Sequence, residues 1–432
     1  MKRKIYKDLL AWKNSGAAKP LMVVGARQVG KTYTINEFCK AEFEDYLHFN
    51  LLDNADLRQI FHEEINTAAK IAQMELLVGR RIDFERTVIF FDEIQESEEL
   101  IAAMKHFAES ETKYRIICAG SLLGVKIKRM QSAFPVGKVK MLEMYPMDFE
   151  EFLEASGETL FAEAIREQVA NPSAFSEPLH RKGLELQRKY LCVGGMPEAV
   201  ANLLSVDGSV LGFDASILKD IRTGYLNDMS KHIRNPLETS RIESVYNSIP
   251  SQLGNSSGKF MYAEIRKGAR ARSYESALSW LVSSRMVYEC KMVSTPAMPL
   301  KGYEAEGYFK LYLNDPGLLC SLLEIRSGEI MLGRDFYFKG ILNESYIAGQ
   351  FKATGKSLYY WRSGNQAEVD FLLDTPDGIA PVEAKSGKTV RSASLGVYRE
   401  TFHPKKCIRV SERNFGCAND IVSIPLYAAH CL

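Results

Sequence analysis

The sequence predicts an α/β protein: a parallel sheet first, a mostly helical middle, and a second α/β region towards the C-terminal end. Three observations predict it. Over residues 1–150, short apolar runs (Leu21–Val24, Thr87–Phe91, Arg115–Ala119) alternate with stretches of helical spacing, as strands buried on both faces of a parallel sheet do. From Phe149 to His232 the pattern is almost wholly helical. From Lys310 it changes again, and a helix over Gly340–Ala353 precedes three strand-like runs.

Taken in order, Leu21–Val24 is a short apolar strand that ends in a glycine loop, and Thr32–Ala41 is the helix after it. Tyr46–Asn50 reads as a second strand. Asp56–Leu77 carries Leu57, Ile60, Phe61, Ile65, Ala68 and Ile71 at helical spacing and reads as one helix. Thr87–Phe91 and Arg115–Ala119 are further strands. Gly194-Gly195-Met196-Pro197 interrupts the helical middle as a turn. Residues 238–293 read as short helices closed by a hairpin. The strands expected after Ala353 are Leu358–Arg362, Ala367–Leu373 and Ala380–Ala384, with Ile408–Ser411 as a fourth. The expected division is 1–150, 151–235, 236–305 and 306–432.

The 432 residues include 46% hydrophobic and 25% charged, the balance of a globular protein with more than one core. A net charge of +1 creates no global field towards nucleic acid or membrane, so any nucleic-acid site is a local patch. None of the eight cysteines is spaced Cys-x-x-Cys, which argues against a zinc site. The basic start, Met1-Lys2-Arg3-Lys4, precedes an amphipathic stretch that lacks a signal peptide's apolar core. No run approaches the roughly 20 apolar residues that span a bilayer. The expectation is a cytoplasmic protein without a membrane partner.

Gly25-Ala26-Arg27-Gln28-Val29-Gly30-Lys31-Thr32 is a P-loop pattern lying between an apolar strand and a helix. The glycines let backbone N–H groups face a phosphate, and the helix N-terminus adds partial positive charge. Lys31 is expected on the β- and γ-phosphates, and the Thr32 hydroxyl on Mg²⁺. Val88-Ile89-Phe90-Phe91 delivers Asp92 and Glu93 on a separate strand. Asp92 is expected to hold Mg²⁺, and Glu93 to polarise the attacking water. The strand Ile116–Ala119 ends in Gly120-Ser121. Ser121 is either a γ-phosphate sensor or a small turn residue. The cofactors expected are ATP and Mg²⁺.

These motifs resemble a family of prokaryotic AAA+ ATPases. The resemblance rests on Gly25–Thr32, Asp92-Glu93-Ile94-Gln95, Gly120-Ser121-Leu122 and Gly195–Glu198, with Lys310–Gly317 and Gly340–Ile347 fitting its C-terminal region of unknown function. It implies a P-loop NTPase (AAA+) core, a helical lid and ATP hydrolysis, with a homo-oligomer or protein partner possible. The family often has Gly-Arg where this chain has Gly137-Lys138, and Arg-Asp where it has Asn227-Asp228. Lysine does not reproduce arginine's planar fork. Arg222 and Arg129 are the substitutes considered for a trans-acting arginine.

Tyr262–Ile265, a basic segment with Arg266, Lys267, Arg270 and Arg272, a helix over Ser273–Ser283 and a strand over Met286–Cys290 trace the outline of a winged helix, as the family resemblance also implies. The four cations are candidate contacts to DNA phosphates, or simply a solvated loop of an interdomain module.

Further on, twelve residues separate Asp370 from Glu383, and Lys385 completes Glu-x-Lys. In a strand Glu383 and Lys385 share a face. The pattern resembles PD-(D/E)xK nucleases of the restriction-endonuclease type. That resemblance implies Asp370 and Glu383 as Mg²⁺ ligands, Lys385 as the group polarising the nucleophile, and Glu344 as the acid on the preceding helix. Two readings stay open. One is a Mg²⁺-dependent ATPase with a C-terminal domain that binds or cuts DNA. The other is a nucleotide-dependent switch or scaffold whose nuclease-like domain holds a protein or nucleic-acid partner without cleavage.

Overall fold

The computed structural model describes the 432-residue chain except residues 17–18, 131–133, 172, 234, 256–258, 365–366 and 388–392, and the side chain of Arg129. It divides into two compact units. One comprises Met1–Tyr145 with Ser283–Arg285, the other Pro146–Val282 with Met286–Leu432.

The first unit is a five-stranded parallel sheet flanked by helices. Its strands are β1 (Leu21–Val24), β2 (Asp45–Asn50), β3 (Thr87–Asp92), β4 (Arg115–Gly120) and β5 (Lys140–Glu143). Their spatial order is β2-β3-β4-β1-β5. β4 therefore lies between the strand that ends in the glycine loop and the strand that ends at Asp92, pairing with both in parallel. β1, β3 and β4 are buried along nearly their whole length, which explains their unbroken apolar runs. β5 lies at the sheet edge and is half exposed, so no apolar run marks it in the sequence. Helices pack Leu57, Phe61, Ile101, Met104 and Phe107 onto the sheet residues Met22, Phe91, Ile116 and Cys118.

The stretch Asp56–Leu77 forms two helices, Ala55–His62 and Thr67–Val78, not one. Glu63 is extended, and the Asn66 side chain accepts the Ala69 N–H, capping a new helix start. Both helices bury into one core, through Leu57, Ile60 and Phe61 and through Ile71 and Met74, while Ile65 and Ala68 at the break are not buried.

The second unit begins with helices, among them Glu177–Val193, Ser216–His232 and Pro236–Leu253. Pro197 opens the helix after the Gly194 turn. Then come β6 (Val287–Val293), β7 (Glu304–Leu313), β8 (Tyr359–Ser363) and β9 (Ala367–Val369), in a sheet ordered β7-β6-β8-β9. A second sheet contains β10 (Phe371–Thr375), β11 (Gly378–Ala384), β12 (Cys407–Ser411), β13 (Gly416–Ala418) and β14 (Ile421–Pro425), ordered β10-β11-β12-β14-β13. The run Ala367–Leu373, expected as one strand, is thus split at Asp370 between two sheets. The Asp370 carboxylate accepts the Ala384 N–H at 2.7 Å, so a side chain takes the place of a ladder bond at the break. The helix expected from Ser273 starts at Glu275, after a 3₁₀ turn at Ala271–Ser273. All eight cysteines are free thiols. Among the described residues, no helix is long and apolar enough to cross a membrane.

Candidate nucleotide site

The glycine loop joins β1 to the helix Lys31–Glu42. Gln28 and Gly30 take positive φ values of 64° and 92°. Glycine carries such a backbone freely, while a residue with a side chain is strained there. Gly25 is required for a second reason: a Cβ there would run into the Met144 carbonyl at the end of β5. Ala26 and Val29 are buried, Arg27 is half-buried and Gln28 is exposed.

Lys31 is buried, and its ammonium donates to the carbonyls of Gly25 (3.1 Å) and Ala26 (2.8 Å). Burial lowers its pKa to about 8, against the neighbouring charges of Glu93 and Asp92, which raise it. The Thr32 hydroxyl donates to Asp92 Oδ2 at 2.7 Å, although 60 residues separate them in sequence. Asp92 Oδ1 accepts the Glu93 N–H at 3.0 Å. Glu93 stands in the left-handed region at φ 51°. Its Oε2 accepts the Gln95 side-chain amide at 2.6 Å and lies 3.5 Å from the Ser121 hydroxyl. The fold therefore gathers Lys31, Thr32, Asp92, Glu93 and Ser121 at the C-terminal ends of β1, β3 and β4. A hydroxyl and a carboxylate converging there form an oxygen donor set suited to Mg²⁺.

Three further residues join this site. Arg3 is buried, and it donates to the Val29 carbonyl within the loop and to the Tyr145 carbonyl, both at 2.6 Å. His48 stacks on Phe90, with Nε2 lying 3.8 Å from Asp92 Oδ2. Gln95 is buried beneath Gly120, where a Cβ would run into its Oε1. The Asp-Glu-Ile-Gln motif contained the signal for Gln95. Nothing in the sequence connected Arg3 with a loop 26 residues away.

The second unit holds the other candidate cluster. Asp370 and Glu383 are the residues just beyond the Phe371–Val382 pair at the end of the β10–β11 ladder. Lys385 Nζ is 3.2 Å from Glu383 Oε1, so the two share a face as expected. Glu383 is buried, and its Oε2 has no hydrogen-bond partner. Glu344, on the helix Lys339–Ala353, accepts from Lys310 at 2.9 Å and from the Tyr312 hydroxyl. Lys310 also pairs with Glu368 at 2.6 Å. Burial raises the pKa of Asp370, and Glu344 adds to the rise, against Lys310 and Lys385. Among the described residues no group of three His, Cys, Asp or Glu is arranged to hold a metal ion. Glu344, the acid expected on the preceding helix, is paired with an ammonium and not open to a divalent cation. Asp370 is bonded to the backbone, Glu383 is paired with Lys385, and an ammonium lies between Glu344 and Glu368.

Arg266, Lys267, Arg270 and Arg272 sit between the short helix Tyr262–Ile265 and the helix Glu275–Ser283. All four are exposed, and none has an ion-pair partner among the described residues. Arg222 donates to the Ser321 carbonyl at 2.9 Å inside the second unit. The side chain of Arg129 lies outside the described residues. Lys138 pairs with Glu109 at 2.9 Å.

Residues 184–329 and 339–428 each match a family described as a domain of unknown function. No curated protein matches the chain. Among solved structures, a Walker-type ATPase of Pyrococcus abyssi is 15% identical, over 74% of this chain and 95% of that one, with a TM-score of 0.46. The ORC2 protein of Aeropyrum pernix is 12% identical, over 80% and 92%, with a TM-score of 0.33. The RuvB Holliday junction branch migration motor of Thermotoga maritima is 13% identical, over 69% and 91%, with a TM-score of 0.31. Residues 17–153 match the family described as AAA domain, so the part of the chain that folds as a P-loop sheet is similar to AAA-type P-loop ATPases.

Proposed function

We propose that the protein is a Mg²⁺-dependent ATPase whose nucleotide state acts on a nucleic-acid-binding second unit. The observation that carries the ATPase is the 2.7 Å hydrogen bond from Thr32 to Asp92. It aligns the hydroxyl of the loop and the carboxylate of β3 on one point, with Lys31 beside them. When bound, Mg²⁺ would neutralise phosphate charge in the transition state. The chain's own residues do the rest. Lys31 exchanges the Gly25 and Ala26 carbonyls for phosphate oxygens. Thr32 and Asp92 would supply the oxygens to hold the metal. Glu93 accepts a proton from the attacking water, and Ser121 hydrogen-bonds near it.

Nucleic-acid binding is supported by the four unpaired cations. It is also supported by the winged-helix outline of Pro236–Leu253, Tyr262–Ile265, Glu275–Ser283 and the β6–β7 hairpin. The Phe260 N–H donates to the Phe309 carbonyl at 2.7 Å, adding a bridge to that hairpin. The helix Lys339–Ala353 followed by β8 to β12 has the element order of a nuclease-like module. We read that module as one that binds and does not cut.

The test is ATP turnover with and without DNA, at several protein concentrations. Lys31→Ala should abolish nucleotide binding, and Glu93→Gln should abolish turnover while nucleotide still binds. DNA should stimulate the wild type and fail to stimulate a variant with alanine at all four cations. Unchanged turnover in Lys31→Ala would end the ATPase reading. Equal DNA affinity in the four-alanine variant would end the nucleic-acid reading.

A further inference from the structure

The carboxylates Glu344, Glu368 and Asp370 come from a helix, a strand and the break between two sheets. Three like charges this close would repel one another and favour protonation unless a cation sat among them. Lys310, from β7, reaches Glu344 at 2.9 Å and Glu368 at 2.6 Å. Its side chain is only 9% exposed, and its ammonium lies 5.2 Å from the centre of the Tyr360 ring. The Tyr312 hydroxyl donates to Glu344 from the same strand. Burial by itself would lower the Lys310 pKa. Glu344, Glu368 and Asp370 outweigh it and hold the group well above its ordinary value, so it stays charged. Lys310 and both glutamates line a cleft of about 140 Å³.

We propose that Lys310 is the resident cation of this cluster, supplying to Glu344 and Glu368, beside Asp370, the positive charge that a divalent metal would bring in a cutting nuclease, so that the module does not bind a metal there and does not cleave. This rests on the nuclease-like reading only for its second consequence. The first is a property of the cluster itself. β7 belongs to the hairpin with β6, outside the run of elements that supplies the carboxylates. The charge that a metal would bring is therefore supplied by a neighbouring part of the same unit.

The experiment measures Mn²⁺ binding without nucleotide to the full-length protein, by electron paramagnetic resonance and by the shift in thermal midpoint. Wild type and Glu344→Gln should bind the same number of Mn²⁺ ions, since neither offers the cluster. Lys310→Met should gain one site and a midpoint that rises with Mn²⁺. Lys310→Met with Glu344→Gln should lose both. A higher Mn²⁺ count in wild type than in Glu344→Gln would overturn the proposal, and that comparison needs no Lys310 variant to fold. So would a folded Lys310→Met that gains no site. DNA cleavage by wild type that is lost in Lys385→Ala would uphold the nuclease-like reading while overturning the role of Lys310. Mn²⁺ uptake confined to Lys310→Met upholds that role whether or not any variant touches DNA.

Discussion

The side-chain amide of Gln95 donates to Glu93 Oε2 at 2.6 Å, and the absence of a side chain at Gly120 makes room for it, since a Cβ there would run into Gln95 Oε1. The carboxylate expected to accept water's proton is thereby held from one side by a buried neighbour. A general base contributes roughly 10²–10⁴-fold when held in place. Gln95→Ala should therefore lower turnover by about tenfold or more. Nucleotide affinity should stay unchanged, because Gln95 does not touch the loop. Single-turnover kinetics beside equilibrium nucleotide binding would separate the two. A drop in affinity with unchanged turnover would contradict this role.

Lys31 predicts a pH dependence. Burial brings its pKa down to about 8, so the free site is mostly protonated at pH 7 and mostly neutral at pH 9. Phosphate oxygens favour the ammonium form. Nucleotide affinity should fall by about tenfold from pH 7 to pH 9, following the protonated fraction. Titration calorimetry at several pH values would read it, with proton uptake on binding above pH 8. A flat profile would show that Lys31 remains charged throughout.

Asp315 predicts a second pH dependence, this time in stability. Its Oδ2 accepts the Gly195 N–H at 2.6 Å and its Oδ1 accepts the Leu318 N–H at 3.0 Å. A Cβ at Gly194 would run into this carboxylate, so Gly194-Gly195 and Asp315-Pro316-Gly317 form one joint. Burial raises the Asp315 pKa to about 6, against those backbone donors. A raised folded-state pKa means the site is most stabilising below the unfolded value of 3.8 and loses that stability as pH rises through about 6. Between pH 4 and pH 7 the stability difference between Asp315→Asn and wild type should move towards the variant. The shift of about two pKa units corresponds to about 3 kcal/mol. Urea unfolding of both proteins across that range checks it, and parallel curves would refute it.

Much of the fold was legible because it rests on local rules. The apolar runs of β1, β3 and β4 mark strands buried on both faces. The glycine loop between a strand and a helix marks a phosphate cradle whatever surrounds it. The break at Asn66 was legible in principle, since asparagine caps helices, but continuous apolar spacing outweighed it. The split at Asp370 was not legible. Ala367–Leu373 alternates as one strand does, and only the Ala384 N–H decides that Asp370 leaves the ladder.

By itself the sequence determined the phosphate loop, the strand-borne Asp92 with Glu93 just after it, and the side-by-side placement of Glu383 and Lys385. In each case the residues are near neighbours in the chain, and backbone period alone sets their geometry. The tertiary structure decided what those residues face. Arg3 braces the loop from 26 residues away, and Thr32 meets Asp92 across 60. Lys310 enters the carboxylate cluster from a strand 34 residues before Glu344. Charge pairing in a buried site depends on which side chains converge in space, and no spacing rule within one element carries that information.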